Sequence, residues 1–539
     1  MRRRAVRRHA FNAEVADCAE ALGELFSGSP HLDDPDHVLR ASAGQRRILE
    51  RINSAVVDLG APPEGMTASG AFTELRGAGS YQEDTPANLG SYHYDRLSIP
   101  ARGSEPVSLA KLWGPGGVEV VEAFEQQVLL PESERLESLA SCPVRRPYSD
   151  RALSRKGEWA RFLSALEAAG VVEYAAPTPH DEVVGIFFVK KKDGRLRLVL
   201  DCRRSNACFL PSDAVELATG ASFAQMELGH DEILYTGTAD IKDAFYHLEL
   251  PPALRPFFAL KSVLARDVGV TELGGQPVAP STSLRPRLKV VPMGWSWALW
   301  WCQSVHMKIA HRAGFSGDAL LRDRHSVPSL QIGVHTQYVD NHISMSTSPD
   351  HVRRSVQAAI AGLQDESGLP VHDIEECSAD AQVLGWHIEG ELGRVRPTRR
   401  RIWRARLAAR HAASLRRVST RAIERLLGHL SFISLIRRES LSFFPRIYRF
   451  VRGPPRVAVM PPGVRRELLL WDALAPLLFQ NLRAAWHPVV GMTDASHWGF
   501  GALEARLPSD LVGERWGDRR TGGASAVQVI RQLAAAQAS

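Results

Sequence analysis

In GEWARFLSALEAAG (157–170), Trp159, Phe162, Leu163 and Leu166 fall at i, i+3, i+4 and i+7. That spacing predicts an amphipathic helix with one buried stripe, and Gly170 is its stop. The period then changes. VVGIFFVKKKDGRLRLVLD (183–201) holds two β-rich runs on either side of Asp193-Gly194, which predicts a hairpin. ILYTGTADI (233–241) reads as another strand. IGVHTQYVDNHISMS (332–346) reads as two strands with a bend at Asp340-Asn341. Beyond residue 400 the helical period returns: Ile423, Leu426, Leu427 and Leu430 make a stripe, with arginines at other positions. PVVGMTDASHWGFGALEA (488–505) goes back to β character. Residues 1–150 show loops such as GSPHLDDPDH and LGAPPEGMTASG between short helical pieces. Mixed periods of this kind predict an α/β (α+β) chain.

A length of 539 residues predicts more than one domain, and 44% hydrophobic content is ample for buried cores. No run reaches the ~18 apolar residues of a membrane helix. The stretch Leu468–Phe479 is broken by Asp472, so no membrane partner is expected. The basic opening MRRRAVRRHAF has no long apolar segment after it, which argues against a secretory signal. A transit peptide and a solvated basic start both remain open. Cys18, Cys142, Cys202, Cys208, Cys302 and Cys377 form no CxxC and no zinc-type Cys/His spacing. They read as reduced thiols of an intracellular protein, cytoplasmic or nuclear.

Charge changes the picture at one place. The net charge is +6, yet Arg394–Arg452 alone holds 17 arginines, two glutamates, no aspartate and no lysine, a local +15. The rest of the chain is therefore about −9. Coding bias explains arginine over lysine but not the disappearance of acids, so a polyanion partner is expected. The hairpin at Asp193-Gly194 carries Lys190, Lys191, Lys192, Arg195 and Arg197. Five cations around one tight turn point to phosphates. The Asp340-Asn341 bend is either half of a metal site or an ordinary polar tip, since both residues favour turns.

The order of five motifs decides between these readings. KKKDGRLRLVLDCRRSN (190–206), TADIKDAFYHLELP (238–251), VVPMGWSWALWWCQ (290–303), YVDN (338–341) and VLGWHI (383–388) together resemble the reverse transcriptases of retroelements and retroviruses, from about Trp159 to Arg452. The resemblance implies a right-hand polymerase. Its fingers and palm would lie in 151–392 and its basic helical thumb or connection in 393–485, with an N-terminal region of unread role in 1–150. Such an enzyme extends a primer on an RNA or DNA template from deoxynucleoside triphosphates. Two Mg²⁺ or Mn²⁺ ions ~3.5–4 Å apart serve the attacking and leaving oxygens. These ions take hard oxygen ligands.

By this resemblance Asp240 and Asp340 are the catalytic metal-binding carboxylates, with Asn341 beside them. Lys191 and Arg197 would clamp the triphosphate. Phe245 would sit under the sugar and exclude a 2′-hydroxyl, with core packing as the competing role. Gly294 would border template and nucleotide. Asp201, Arg203 and Asn206 match a D-x-R-x-x-N stretch that is partly structural support. Leu384, Gly385 and Trp386 match the loop that grips the primer end, although a packed β-turn has the same pattern.

Three departures stand out. Asn341 replaces a second aspartate, Met293 stands where many relatives have glutamine, and Glu376 replaces a lysine before Cys377. That lysine is thought to donate a proton to pyrophosphate, so Glu376 puts such general-acid help in doubt. MTDASHWGFGAL (492–503) resembles the first strands of a ribonuclease H fold, with Asp494 as its first acid. SAVQVIRQLAAAQAS (525–539) contains no carboxylate where the next acid is expected. A truncated ribonuclease H-like segment over 486–539, without that activity, is therefore expected. The rival reading is a degenerate retroelement-derived protein that binds nucleic acid without catalysis.

Overall fold

Two units make up the chain in the computed structural model, which describes residues 43–77, 89–191, 193–453, 456–484, 488–496 and 499–506. One unit is assembled from three separated pieces, Met1–Pro86, Gln382–His387 and Arg394–Asn481; the other holds Ala87–Ala381, Ile388–Gly393 and Leu482–Ser539. The first piece supplies helices α1 (Ala43–Leu59) and α2 (Ala68–Gly77). They bury Ala55, Leu59, Ala71, Phe72 and Leu75.

The larger unit contains the predicted helix and hairpin. Helix α3 (Glu158–Ala168) buries Phe162, Leu163 and Leu166 completely, and Gly170 follows it in a left-handed conformation (φ +70°). Strands β1 (Gly185–Lys190) and β2 (Leu196–Asp201) pair antiparallel around Asp193-Gly194. Their inward residues Ile186, Phe188, Leu196, Leu198 and Leu200 join the α3 stripe in one core. Lys192 lies outside the described residues.

A second sheet, with the helices on it, carries TADI, YVDN and the helical end of VVPMGWSWALWWCQ, whereas VLGWHI lies in a different sheet. Its elements are β3 (Tyr235–Ile241), helix α4 (Ala298–Arg312), β4 (Val334–Tyr338), β5 (Asn341–Ser346), helix α5 (Pro349–Ile360) and β6 (Val371–Ser378). The strand order is β4-β5-β3-β6, with every pair antiparallel. Alternation along β4 and β5 sorts their side chains into two kinds. Val334, Ile343 and Met345 are apolar and buried, and Val352 and Val356 of α5 approach β3 closely at Gly237. A Cβ at Gly237 would stand 2.6 Å from a Val356 methyl. The other kind is buried but polar. Gln337 Nε2 lies 3.1 Å from both His335 Nδ1 and His342 Nδ1, and His342 Nε2 lies 2.8 Å from Ser344 Oγ. Gln303 of α4 donates to the Gln337 carbonyl at 2.9 Å, so the helix satisfies that backbone group, while Gln337 Oε1 is buried with no hydrogen-bond partner among the described residues.

Helices α6 (Arg399–Ser414), α7 (Thr420–Ser434) and α8 (Pro462–Leu474) belong to the unit that also contains α1 and α2. The predicted α7 stripe is buried, with Ile423 and Leu430 fully enclosed. Burial and pairing take part of the arginine-rich segment out of solvent. Arg401, Arg404 and Arg406 are buried. Arg404 pairs with Glu74 of α2 at 3.7 Å, and Arg406 and Arg410 meet Asp472 of α8 at 3.0 and 2.5 Å. Arg394 and Arg396 share Asp58 of α1 at 2.7 and 3.3 Å. Acids from distant sequence thus neutralise part of the local excess. Arg416, Arg421, Arg449 and Arg452 stay exposed.

Strands β7 (Val489–Ser496) and β8 (Gly499–Arg506) form a hairpin in which Asp494 is opposite Gly501. SAVQVIRQLAAAQAS lies outside the described residues. Five described cysteines, Cys142, Cys202, Cys208, Cys302 and Cys377, are free thiols, and Cys18 lies outside the described residues. Among the described residues no helix is long and apolar enough to cross a membrane.

Candidate active site

Strand pairing brings the two candidate carboxylates together. Asp240 is the penultimate residue of β3, and its register partner on β5 is Asn341. Asp340 sits in the β4–β5 turn, where its carbonyl accepts the Ile241 N–H at 2.9 Å. Residues a hundred positions apart therefore share one sheet end. Asn341 does not extend a second charge into this site. Its Nδ2 donates to Asp340 Oδ1 at 3.1 Å.

The electrostatics follow from crowding. Burial raises the Asp240 carboxyl to about 7, and Asp340, Asp373 and Asp243 add to the rise while Arg197 opposes it. Burial also raises Asp340, against the lowering influence of its backbone, the Asn341 amide, Arg197 and His372. Asp240 Oδ1 is buried with no hydrogen-bond partner among the described residues. Two desolvated carboxylates, one with an orphaned oxygen, fit a divalent cation, which favours hard oxygen donors and would relieve the repulsion.

Two further donors were not singled out in the sequence. His372 on β6 is the other register partner of Asp240, and its Nε2 lies 3.6 Å from Asp240 Oδ2. Its Nδ1 lies 3.3 Å from Asp373 Oδ2. Ligand atoms of Asp240, His372 and Asp373 all fall within 4.8 Å of one another. A register shift follows His372, and Asp373 adopts a left-handed φ of +48° there. Bulges of this kind re-aim side chains beside functional sites. Glu376 is exposed and lies nearer the Gly237–Thr238 part of β3, roughly 10 Å along the strand from Asp240 at ~3.3 Å per residue. His372, not Glu376, is the β6 side chain beside the carboxylate pair.

Arg197 on β2 is exposed and acts on both carboxylates. Lys191 Nζ donates to Ser98 Oγ at 3.0 Å and lies 3.8 Å from Asp243 Oδ1. Phe245 and Tyr246 are half-buried and border an apolar hollow with Leu198, Leu200, Val290 and Met293. Burial pushes the Tyr246 phenol upward.

Gly294 has φ +128°, and a Cβ there would stand 2.6 Å from the Leu200 carbonyl oxygen. Only glycine fits so close an approach to β2. Asn206 fixes the same turn, donating to the Gly294 carbonyl and accepting the Ser296 N–H, both at 3.0 Å. Asp201 accepts two bonds from Arg203, at 2.7 and 2.8 Å, and one from the Tyr148 N–H at 2.9 Å. Asn206 thus braces the Gly294 turn, and Asp201 ties Arg203 to the Tyr148 backbone.

Leu384 and Gly385, in the other unit, form a turn with φ of +50° and +82°. Trp386 is 1% exposed and stacks on Phe432 with ring centres 5.3 Å apart. Its ring belongs to a core.

No protein-family model matches the chain, and no curated protein sequence matches it. Among solved structures, the chain is similar to the foamy viral protease-reverse transcriptase dRH in complex with double-stranded DNA. The identity is 13%, the TM-score is 0.43, and the alignment covers 78% of this chain and 70% of that chain. Values at this level mark a distant likeness.

Proposed function

We propose that the chain is an RNA-directed DNA polymerase of a retroelement, adding deoxynucleotides to a primer 3′ end on an RNA or DNA template. One observation carries the reading: Asp240 and Asp340, drawn from separate motifs, share a sheet end with Arg197 and Lys191 of the cationic hairpin nearby. The β1–β2 hairpin and the elements packed on it would serve as fingers, the β4-β5-β3-β6 sheet as palm, and the arginine-rich helices as thumb.

Two Mg²⁺ or Mn²⁺ ions, when bound, would activate the attacking 3′ oxygen and neutralise the leaving oxygen. Asp240 and Asp340 would hold them, with His372 and Asp373 in reach of Asp240. Arg197 and Lys191 bring positive charge for the triphosphate, and a guanidinium matches phosphate oxygens in a bidentate way. Phe245, at the edge of an apolar hollow, would lie against the sugar and exclude a 2′-hydroxyl. Exposed Arg416, Arg421, Arg449 and Arg452 would follow a duplex backbone without reading sequence.

A second reading has its own support. The Asn341 amide satisfies Asp340 instead of adding charge, as expected of a degenerate copy that binds nucleic acid without catalysis. Primer extension on an RNA template, in Mg²⁺ and separately in Mn²⁺, separates the two. Extension that is lost in Asp240→Ala supports the polymerase. Extension only in Asn341→Asp means that the asparagine disabled it. Silence in both, with duplex binding retained, favours the binding protein.

A further inference from the structure

The turn that presents Asp340 is strained and is held from behind. Val339, immediately before Asp340, has φ +60°. A β-branched residue in that region is a costly outlier that persists only when its surroundings impose it. Both of its peptide groups are bound by side chains one turn apart on α4. Its N–H donates to Gln303 Oε1 at 2.8 Å, and its carbonyl lies 2.9 Å from His306 Nδ1 and accepts a longer, weaker bond from Cys302 Sγ at 3.6 Å. A carbonyl can only accept, so His306 must carry its proton on Nδ1. His306 is 1% exposed, and its Nε2 is buried without a partner among the described residues. An apolar residue of similar volume would avoid the penalty of that unsatisfied acceptor. The carbonyl of Asp340 itself is fixed from the other side by the Ile241 N–H at 2.9 Å. The peptide units before and after Asp340 are therefore both anchored.

We propose that His306 is a positioning residue, whose Nδ1–H bond to Val339 holds the Asp340 carboxylate in register with Asp240 for divalent-metal binding. This rests on the polymerase reading for its use, but not for its measurement.

The test compares His306→Asn with His306→Gln. The asparagine amide reaches the place of Nδ1, whereas the glutamine amide reaches the place of Nε2 and misses the carbonyl. Mn²⁺ binding to metal-free protein is read by electron paramagnetic resonance of the free ion, with Asp240→Ala as the blank and melting curves for every variant. The asparagine variant should bind Mn²⁺ within about threefold of the parent. The glutamine variant should bind about 10–100-fold more weakly, the usual effect of removing a group that orients a ligand. In primer extension, kcat should follow the same order while the KM for nucleotide stays level.

Equal weakening of the two variants, including a shared loss of folding, overturns the proposal, as does parent-like binding by His306→Gln. Should the Mn²⁺ pattern hold while no variant or parent extends a primer, the polymerase reading falls and the positioning role stands.

Discussion

Asp240→Asn keeps the shape of the side chain and removes its charge, and it should make the metal-free protein more stable. Burial and Asp340 lift this carboxyl from 3.8 to about 7. Holding it ionised in the folded chain therefore costs about 4 kcal/mol, at about 1.4 kcal/mol for each tenfold change. The sign of the pH dependence follows. Below about pH 4 the carboxyl is protonated in both folded and unfolded chains, and the parent bears no cost. Between about pH 4 and 7 the unfolded chain releases a proton that the folded chain keeps, so the parent loses stability as pH rises. Above about pH 7 the whole cost is present.

At roughly 2 °C per kcal/mol for a unit of this size, the variant should melt up to about 8 °C above the parent at pH 8 in chelator. The two should coincide near pH 4. Calorimetry across that range is the assay. Added Mn²⁺ should raise the parent and leave the variant in place, because binding stabilises only the form that binds. A variant that melts lower than the parent at pH 8, or a difference that persists unchanged at pH 4, would refute the claim that this site is electrostatically strained.

Further outcomes follow from the same geometry. Asn341→Asp adds a further carboxylate to the cluster of Asp240, Asp340 and Asp373. It should lower the metal-free melting temperature at pH 8 and tighten Mg²⁺ binding, both measurable by calorimetry. Phe245→Val should open the space beneath a nucleotide sugar and reduce discrimination against ribonucleotides by about tenfold or more, read as a ratio of kcat/KM values. Gly294→Ala should cost about 2–3 kcal/mol, because a Cβ at φ +128° meets the rigid Leu200 carbonyl at 2.6 Å; urea unfolding would show it. Trp386→Ala should destabilise its unit by about 3–5 kcal/mol, as loss of a buried aromatic does. An unchanged melting curve with weakened primer binding would return that ring to a surface role.

Legibility followed sequence distance. The α3 stripe, the Asp193-Gly194 hairpin and the Asp340-Asn341 bend were readable because a few adjacent residues determine each of them. The partners of the arginines were not. Arg394 finds Asp58 across 336 positions, and no local pattern announces such a pair. His372 escaped notice for a related reason. Its value comes from a strand register that places it opposite Asp240, and nothing local in HDIEEC encodes that register. Trp386 shows a different limit: a Leu-Gly-Trp turn reads the same whether the ring faces a ligand or a core. His306 lay in an apolar helix, where a histidine has no signature until the strained peptide it holds is seen.

The discontinuity of the arginine-rich unit has a consequence during synthesis. Helices α1 and α2 are made first, yet α6 and α7, which pack against α2, follow about 320 residues later, and Ala475–Leu477, which packs against α1, comes later still. At ~5–20 residues per second that wait is roughly 15–60 s. Phe72, Leu75 and Leu59 have no native cover for that interval, and the Asp58 and Glu74 charges have no native partner. Nascent chains of this protein should therefore be most prone to chaperone capture and to aggregation before residue 400 is made. Fragments that end there should inherit the same liability.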